Sequence, residues 1–238
     1  LCFAGTAVIA ALHQSRNVVR FAANVAWHGK NLYSLPLAPY RCDQRSRKEV
    51  NVAKGEFASW ADCAADLVAV AAGRSSADLV VQNSRLVNVQ SREVLENWQI
   101  AVVRGRFAYV GPDARHCIGP KTQIIDAGGR YLIPGLCDGH MHIESGMLIP
   151  AEFAAAVIPY GTTTMFTDPH EIANVLGLAG VRMMHDEALL QPINIFTQMP
   201  SCAPSAPRLE TTGFEITPQD VAEAMRWPGI IGLGEMMN

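Results

Sequence analysis

The sequence has no Cys-x-x-Cys pair. Its six cysteines (Cys2, Cys42, Cys63, Cys117, Cys137 and Cys202) are scattered. That argues against a disulfide framework and against a structural zinc knuckle, and it fits a reducing cytoplasm. Long apolar runs are also missing. The longest, Leu1 to Leu12, falls well short of the roughly 18 residues a membrane helix needs, and no basic residue precedes it as in a secretory leader. Strong charge is lacking too, with a formal net charge of -3 and 17% charged residues. No field of one sign draws the chain to nucleic acid or to an acidic membrane. The one basic stretch, Arg41-Cys42-Asp43-Gln44-Arg45-Ser46-Arg47-Lys48, lacks the interleaved aromatics of a nucleic-acid patch. It follows Leu35-Pro36-Leu37-Ala38-Pro39 and reads as a linker or an extension, so residues 1–50 are left unassigned. Neither a nucleic-acid nor a membrane partner is expected.

What is present is enough apolar material for a sizeable core: 49% of 238 residues. The chain opens on Leu1 and stops at Asn238 just after a strand-like run, so both ends are expected to be cut. Phe57 to Ala72 is rich in Ala and Leu and predicts a helix, with Gly73 where a C-terminal cap belongs. The periodicity then changes to short β-branched runs at 78–83, 85–89, 98–103, 106–110 and 121–126. Turn residues separate them, including Arg104-Gly105. Residues 51–130 are therefore expected to hold an N-terminal helix and a small β domain of the sandwich type.

From Arg130 onward, strand-like and helix-like runs alternate. Strands are expected at 131–137, 162–167, 193–198 and 230–235. Helices are expected at 151–158, 174–190 and 218–226, the last with Thr217 as N-cap and Pro218 at its first position. Four β-elements separated by three helices predict an α/β fold: a parallel sheet, or the first half of a (β/α)8 barrel over residues 131–238.

The chemistry concentrates at the ends of those strands. Pro134-Gly135-Leu136-Cys137-Asp138-Gly139-His140-Met141-His142-Ile143-Glu144 closes the first. Residues i and i+2 of a strand point to the same side, so two imidazoles at that spacing reach one ion. Neutral imidazole suits zinc, iron and similar divalent ions. His-x-His alone is a weak signal; its place at a C-terminal strand end, where barrel active sites are built, strengthens it. His142-x-Glu144 also resembles the opening of a zinc-deaminase signature. That signature needs Pro-Cys-x-x-Cys, and Pro200-Ser201-Cys202 lacks the spacing.

Glu235 ends the fourth strand in Gly232-Leu233-Gly234-Glu235, where small glycines allow close approach. Its two oxygens suit it to bridge two cations; the plainer alternative is a Glu opening a helix after a strand. Asp168-Pro169-His170-Glu171 ends the second strand, and either faces the same mouth or forms a cap and polar loop. Met199-Pro200-Ser201-Cys202-Ala203-Pro204 ends the third, as a pocket wall or a Pro-rich loop. Cys202 has no evident base partner and is not expected to be a nucleophile.

From Asp78 to Asn238 these motifs, in order, resemble the amidohydrolase superfamily, and within it the adenine deaminases. The resemblance rests on Ala77-Asp78-Leu79-Val80, on Ile133-Pro134-Gly135 leading to Asp138-Gly139-His140-Met141-His142-Ile143-Glu144-Ser145, and on Tyr160-Gly161-Thr162-Thr163-Thr164. It continues through Thr167-Asp168-Pro169-His170-Glu171-Ile172-Ala173-Asn174-Val175, Pro200-Ser201-Cys202 and Gly232-Leu233-Gly234-Glu235-Met236-Met237. His-x-His and Pro-Gly are shared across the superfamily, whereas Asp-Pro-His-Glu-Ile-Ala-Asn and His-Ile-Glu-Ser are narrower. The helix at 57–72 also resembles that family's N-terminal helix. Gly146 departs from the pattern, standing where the family more often has Ser.

The resemblance implies a metal-dependent hydrolase that deaminates adenine to hypoxanthine and ammonia in purine salvage, cytoplasmic, and homo-oligomeric at full length. It implies a binuclear divalent centre of iron or manganese, with zinc possible, held by His140, His142 and a bridging Glu235. Glu235 and His170 are the expected catalytic groups. Glu144, Asp168, His170, Glu171 and Ser201 are the expected substrate contacts. The family takes further histidines from strands five and six and an Asp from strand eight, which lie beyond Asn238. The polypeptide as given is therefore expected to be inactive and poorly soluble. Two alternatives stay open: an amidohydrolase acting on a cyclic amide, dihydroorotase- or hydantoinase-like, or a non-catalytic half-barrel. Cyclic-amide enzymes commonly place a carboxylated Lys where this chain has Glu235.

Overall fold

The computed structural model describes residues 18–20 and 60–237. The rest of the expected extension at 1–50, with its apolar run and basic patch, lies outside the described residues, as do positions 57–59 of the first expected helix. The chain divides into two compact units, one up to Pro134 and one from Gly135. Among the described residues no helix is long and apolar enough to cross a membrane, and Cys117, Cys137 and Cys202 form no disulfide.

The first unit is built on one connected sheet. Its strands are β1 (Val18–Arg20), β2 (Leu79–Asn88), β3 (Glu93–Val103), β4 (Arg106–Gly111), β5 (Gln123–Asp126) and β6 (Tyr131–Ile133), in the order β1-β6-β2-β3-β4 with β5 also on β2. A second sheet facing the first, as a sandwich requires, does not occur among the described residues. Helix α1 (Trp60–Ala71) takes that covering role instead. Cys63, Leu67 and Val70 recur at helical spacing on one face of α1 and are buried with Val80, Ala101 and Val103 of the sheet.

Two expected strands, 78–83 and 85–89, are one strand, β2. A bulge stands where the break is expected: Asn83, the last residue of the first expected run, has φ 57°, and the register with β3 shifts between Val81 and Ser84. Asn tolerates the left-handed region, and a single residue there bends a strand without ending it. The bulge divides one edge of β2 between two parallel partners, β5 along Leu79–Gln82 and β6 at Arg85 and Leu86. The turn at Arg104-Gly105 is as expected. Both residues have positive φ (50° and 71°), which matches the twist of β3 and β4.

The second unit carries the strict alternation. Its elements are β7 (Leu136–Met141), α2 (Pro150–Val157), β8 (Thr162–Thr167), α3 (His170–Ala188), β9 (Asn194–Met199), α4 (Pro218–Ala224) and β10 (Ile230–Leu233). The four strands pair in parallel and in sequence order. Parallel pairing with a helix between successive strands brings all four C-terminal ends to one edge. The expected strand at 131–137 is in fact two, because Pro134 and Gly135 interrupt the ladder and its halves join different sheets.

Burial alternates along the inner strands. Thr163, Met165 and Thr167 of β8 and Ile195, Thr197 and Met199 of β9 are buried, whereas their neighbours are half-exposed. Met165 and Ile195 pack with Ala154 of α2 and Met184 and Ala188 of α3. Each such apolar side chain contributes roughly 1.5–3 kcal/mol relative to leaving it exposed. On the opposite face, Phe166 and Phe196 stack at 5.4 Å. Thr217 caps α4 as expected: its hydroxyl accepts the Asp220 N–H, while the Asp220 carboxylate accepts the Thr217 N–H.

Helix α3 begins four residues earlier than the expected 174–190. Pro169 stands before it and the Asp168 carbonyl accepts the His170 N–H. His170 and Glu171 thus lie on a helix, not on a loop. Near its middle, α3 is broken at Gly177 (φ 59°, ψ -146°), and an added Cβ there would lie 3.0 Å from the Phe214 ring. That backbone region is essentially reserved for glycine. Gly177→Ala is expected to lower stability by about 1–3 kcal/mol, read as a lower midpoint of urea unfolding; an unchanged midpoint would refute the strain.

Candidate metal centre

Strand β7 positions the two histidines. Its register with β8 shifts between Asp138 and Met141, so the strand end bulges. The Asp138 carboxylate accepts the His140 N–H at 3.2 Å. His140 lies in β7 and His142 one residue past its end, before a 3-10 turn at Ile143–Gly146. Their Nε2 atoms approach to 2.8 Å, with the rings edge-on.

Glu235 reaches the same point from two residues past β10. Its Oε2 lies 3.4 Å from His140 Nε2 and its Oε1 lies 3.6 Å from His142 Nε2. Each imidazole therefore addresses a different carboxylate oxygen. One ligand atom each from His140, His142 and Glu235 lies within 4.8 Å of the others. Ligands about 2.0–2.2 Å from a tetrahedral ion stand roughly 3.3 Å apart, and the observed separations bracket that value. The donor set fits a divalent ion.

The expected residues of β8 and α3 fall around this cluster in distinct ways. Glu171 Oε2 comes to 3.1 Å from His142 Nδ1, although not in hydrogen-bond alignment. Its Oε1 accepts from the Ser145 hydroxyl at 2.6 Å. Burial raises the Glu171 pKa, but the Ser145 bond and the nearby His142 and His170 outweigh it, and the net shift is downward. His170 is 5% exposed. Its ring centroid lies 6.3 Å from that of His142, and its Nε2 is 3.3 Å from the Ser205 hydroxyl.

Glu144, Asp168 and Ser201 turn toward protein groups. Glu144 Oε1 accepts the Ile172 N–H at 3.3 Å, in the first turn of α3. Asp168 is fully buried, and its Oδ2 accepts the Glu235 N–H at 2.7 Å. Burial pushes both carboxyls above their ordinary pKa. The Ser201 hydroxyl donates to the Glu235 carbonyl at 3.2 Å, and the Cys202 thiol lies at the same distance from that oxygen.

Sequence reasoning missed Ser145 and Ser205. Ser145 stands beside Glu144 in a motif already singled out, so its neighbourhood was marked although its partner was not. Nothing in the sequence marks Ser205, because the path of the loop after β9 decides what it meets. Gly234 was expected to permit close approach of backbone or metal. What approaches is a carboxylate: an added Cβ would fall on Asp168 Oδ2.

Comparison with known proteins agrees with this architecture. The profile of the amidohydrolase family matches residues 131–234. Adenine deaminase of Ruegeria pomeroyi is 78% identical over 182 residues, covering 76% of this chain and 30% of that protein. Adenine deaminase of Paracoccus denitrificans is 64% identical over 189 residues, covering 79% of this chain and 32% of its own length. That of Moorella thermoacetica is 52% identical over 178 residues, covering 75% and 30%. The chain spans about 30% of the length of the curated relatives it matches. The profile match makes residues 131–234 an amidohydrolase-family domain, and about three quarters of the chain is similar to proteins named adenine deaminase.

Proposed function

We propose that the complete protein is a metal-dependent adenine deaminase, hydrolysing adenine to hypoxanthine and ammonia. We take residues 135–238 as the first four β/α units of a (β/α)8 barrel. The observation that carries the reading is the convergence of His140, His142 and Glu235 at the C-terminal ends of parallel strands. The names of the relatives supply the substrate.

In this reading His140, His142 and Glu235 would hold a divalent ion, and the two carboxylate oxygens of Glu235 would suit it to serve a second ion as well. Iron, manganese and zinc all accept such donors. A divalent ion there makes a water nucleophile available at neutral pH by lowering that water's pKa. The protein's own groups prepare for this. Glu171 beside Nδ1 of His142 favours the tautomer with its proton on Nδ1, which leaves the Nε2 lone pair free. Ser145 fixes the Glu171 carboxylate. His170 is buried next to the metal ligands, and no protein group among the described residues hydrogen-bonds its Nδ1. That suits it to hold or hand over a proton at the substrate ring.

Two measurements test the reading. Several kcal/mol of transition-state stabilisation depend on the ion, so a His140→Ala, His142→Ala double variant of the complete protein is expected to lose about a thousandfold or more in kcat/KM for adenine. Full ammonia release by that variant ends the proposal. Glu171→Gln keeps the size of the side chain but removes its charge beside His142. Carboxylate partners of ligating histidines are typically worth 10–100-fold in metal affinity, so about tenfold weaker binding of Mn2+ is expected. Unaltered affinity would show that Glu171 does not tune His142.

A further inference from the structure

Strand β10 ends at Leu233, whose register partner is Met199, and the last backbone bond of that ladder runs from Gly234 N–H to the Met199 carbonyl at 2.7 Å. Glu235 lies beyond this pairing. The ladder therefore does not set the place of its carboxylate. Three side chains from two other strand ends hold its backbone. Asp168, one residue past β8, accepts the Glu235 N–H. Ser201 and Cys202, past β9, meet the Glu235 carbonyl.

Among these, Asp168 has the tightest fit. It is fully buried, its bond to Glu235 is the shortest of the three at 2.7 Å, and 67 residues of chain separate the partners. Residue 234 is glycine, and the Asp168 carboxylate occupies the space a Cβ would need. The two strand ends are thus fitted to each other at the point where Glu235 leaves the sheet.

We propose that Asp168 is the positioning residue of Glu235: by accepting the Glu235 N–H it sets where the Glu235 carboxylate stands relative to His140 and His142. This rests on the metal-centre reading above and gives Asp168 a role in place of the substrate contact expected from sequence. Misplacing a ligand by about 1 Å is enough to spoil a preorganised site. The role requires an acceptor at this position and does not require a charge.

The test compares Asp168→Ala, which removes the acceptor, with Asp168→Asn, which keeps one. Both are made in the complete protein, with Ser201→Ala as a milder change on the carbonyl side of the same residue. Mn2+ affinity is read by competition with a chromophoric chelator, and kcat and KM for adenine are measured at saturating Mn2+. Asp168→Ala is expected to bind Mn2+ about tenfold or more weakly and to lose kcat while KM stays within about threefold. Asp168→Asn is expected to retain most of the affinity, and Ser201→Ala to lose about two- to threefold. Wild-type affinity in Asp168→Ala overturns the proposal, as does an Asn variant as weak as the Ala variant. A rise in KM with unchanged Mn2+ binding would make Asp168 a substrate contact instead. If Asp168→Ala does not fold, Asp168→Asn decides, and Mn2+ affinity about tenfold or more below wild type there overturns the proposal. Wild-type protein that binds Mn2+ but leaves adenine intact defeats the deaminase reading alone.

Discussion

The parallel register of β7 through β10 is the constraint on which the candidate site depends. Met141 pairs with Thr167, Thr167 with Thr197, and Thr197 with Ile230. Because the strands run the same way, the residues that follow them all emerge at one edge. Residues from the first and last strands of the sheet can then meet at a single point. A slip of one residue in any of the three pairings would turn the following side chain to the other face. It would separate the histidines from the carboxylate. The packing of α2 and α3 over Met165 and Ile195 opposes such a slip, since it would move those side chains out of the core.

A second layer of order starts where the ladder stops. At the bulged end of β7, in the first turn of α3 and past β10, side chains accept backbone N–H groups: Asp138 for His140, Glu144 for Ile172, Asp168 for Glu235. Several acidic groups around the centre therefore serve the backbone. Among the described residues, only Glu235 and Glu171 pair a carboxylate oxygen with an imidazole nitrogen. Burying a carboxylate is costly unless it is hydrogen-bonded, and the N–H groups of strand ends and of the α3 first turn supply those bonds.

Much of this was legible in the sequence. The alternation after Arg130 carries the type and order of the four strands and three α-helices of the second unit, though not its two 3-10 turns, and the i, i+2 spacing puts His140 and His142 on one side of a strand end. Short-range patterns of this kind carry their own geometry. The misreadings involve either one residue with two possible local outcomes or partners far apart in the chain. A break is expected between 83 and 85, and the structure has a bulge there at Asn83. Pro134 and Gly135 were read inside a strand and end one. The onset of α3 was put at Asn174, although the helix starts right after Pro169. A second sheet was expected where α1 covers the first. The partners of Asp168, Ser201 and Ser205 depend on contacts across 32 to 67 residues, and no local pattern encodes these.

The same separation in sequence has a consequence for assembly. His140 and His142 are two residues apart and come together as soon as β7 is extended. Glu235 joins them only after β8 and β9 have been laid between, because its backbone is held by residues that follow those strands. Without those pairings the two imidazoles would stand without the carboxylate, a weaker donor set for a divalent ion. The third ligand arrives with the completed edge of the sheet. An ion held by all three groups would therefore favour chains in which the β7–β8, β8–β9 and β9–β10 pairings are all formed, so that binding and the completed edge of the sheet would stabilise each other.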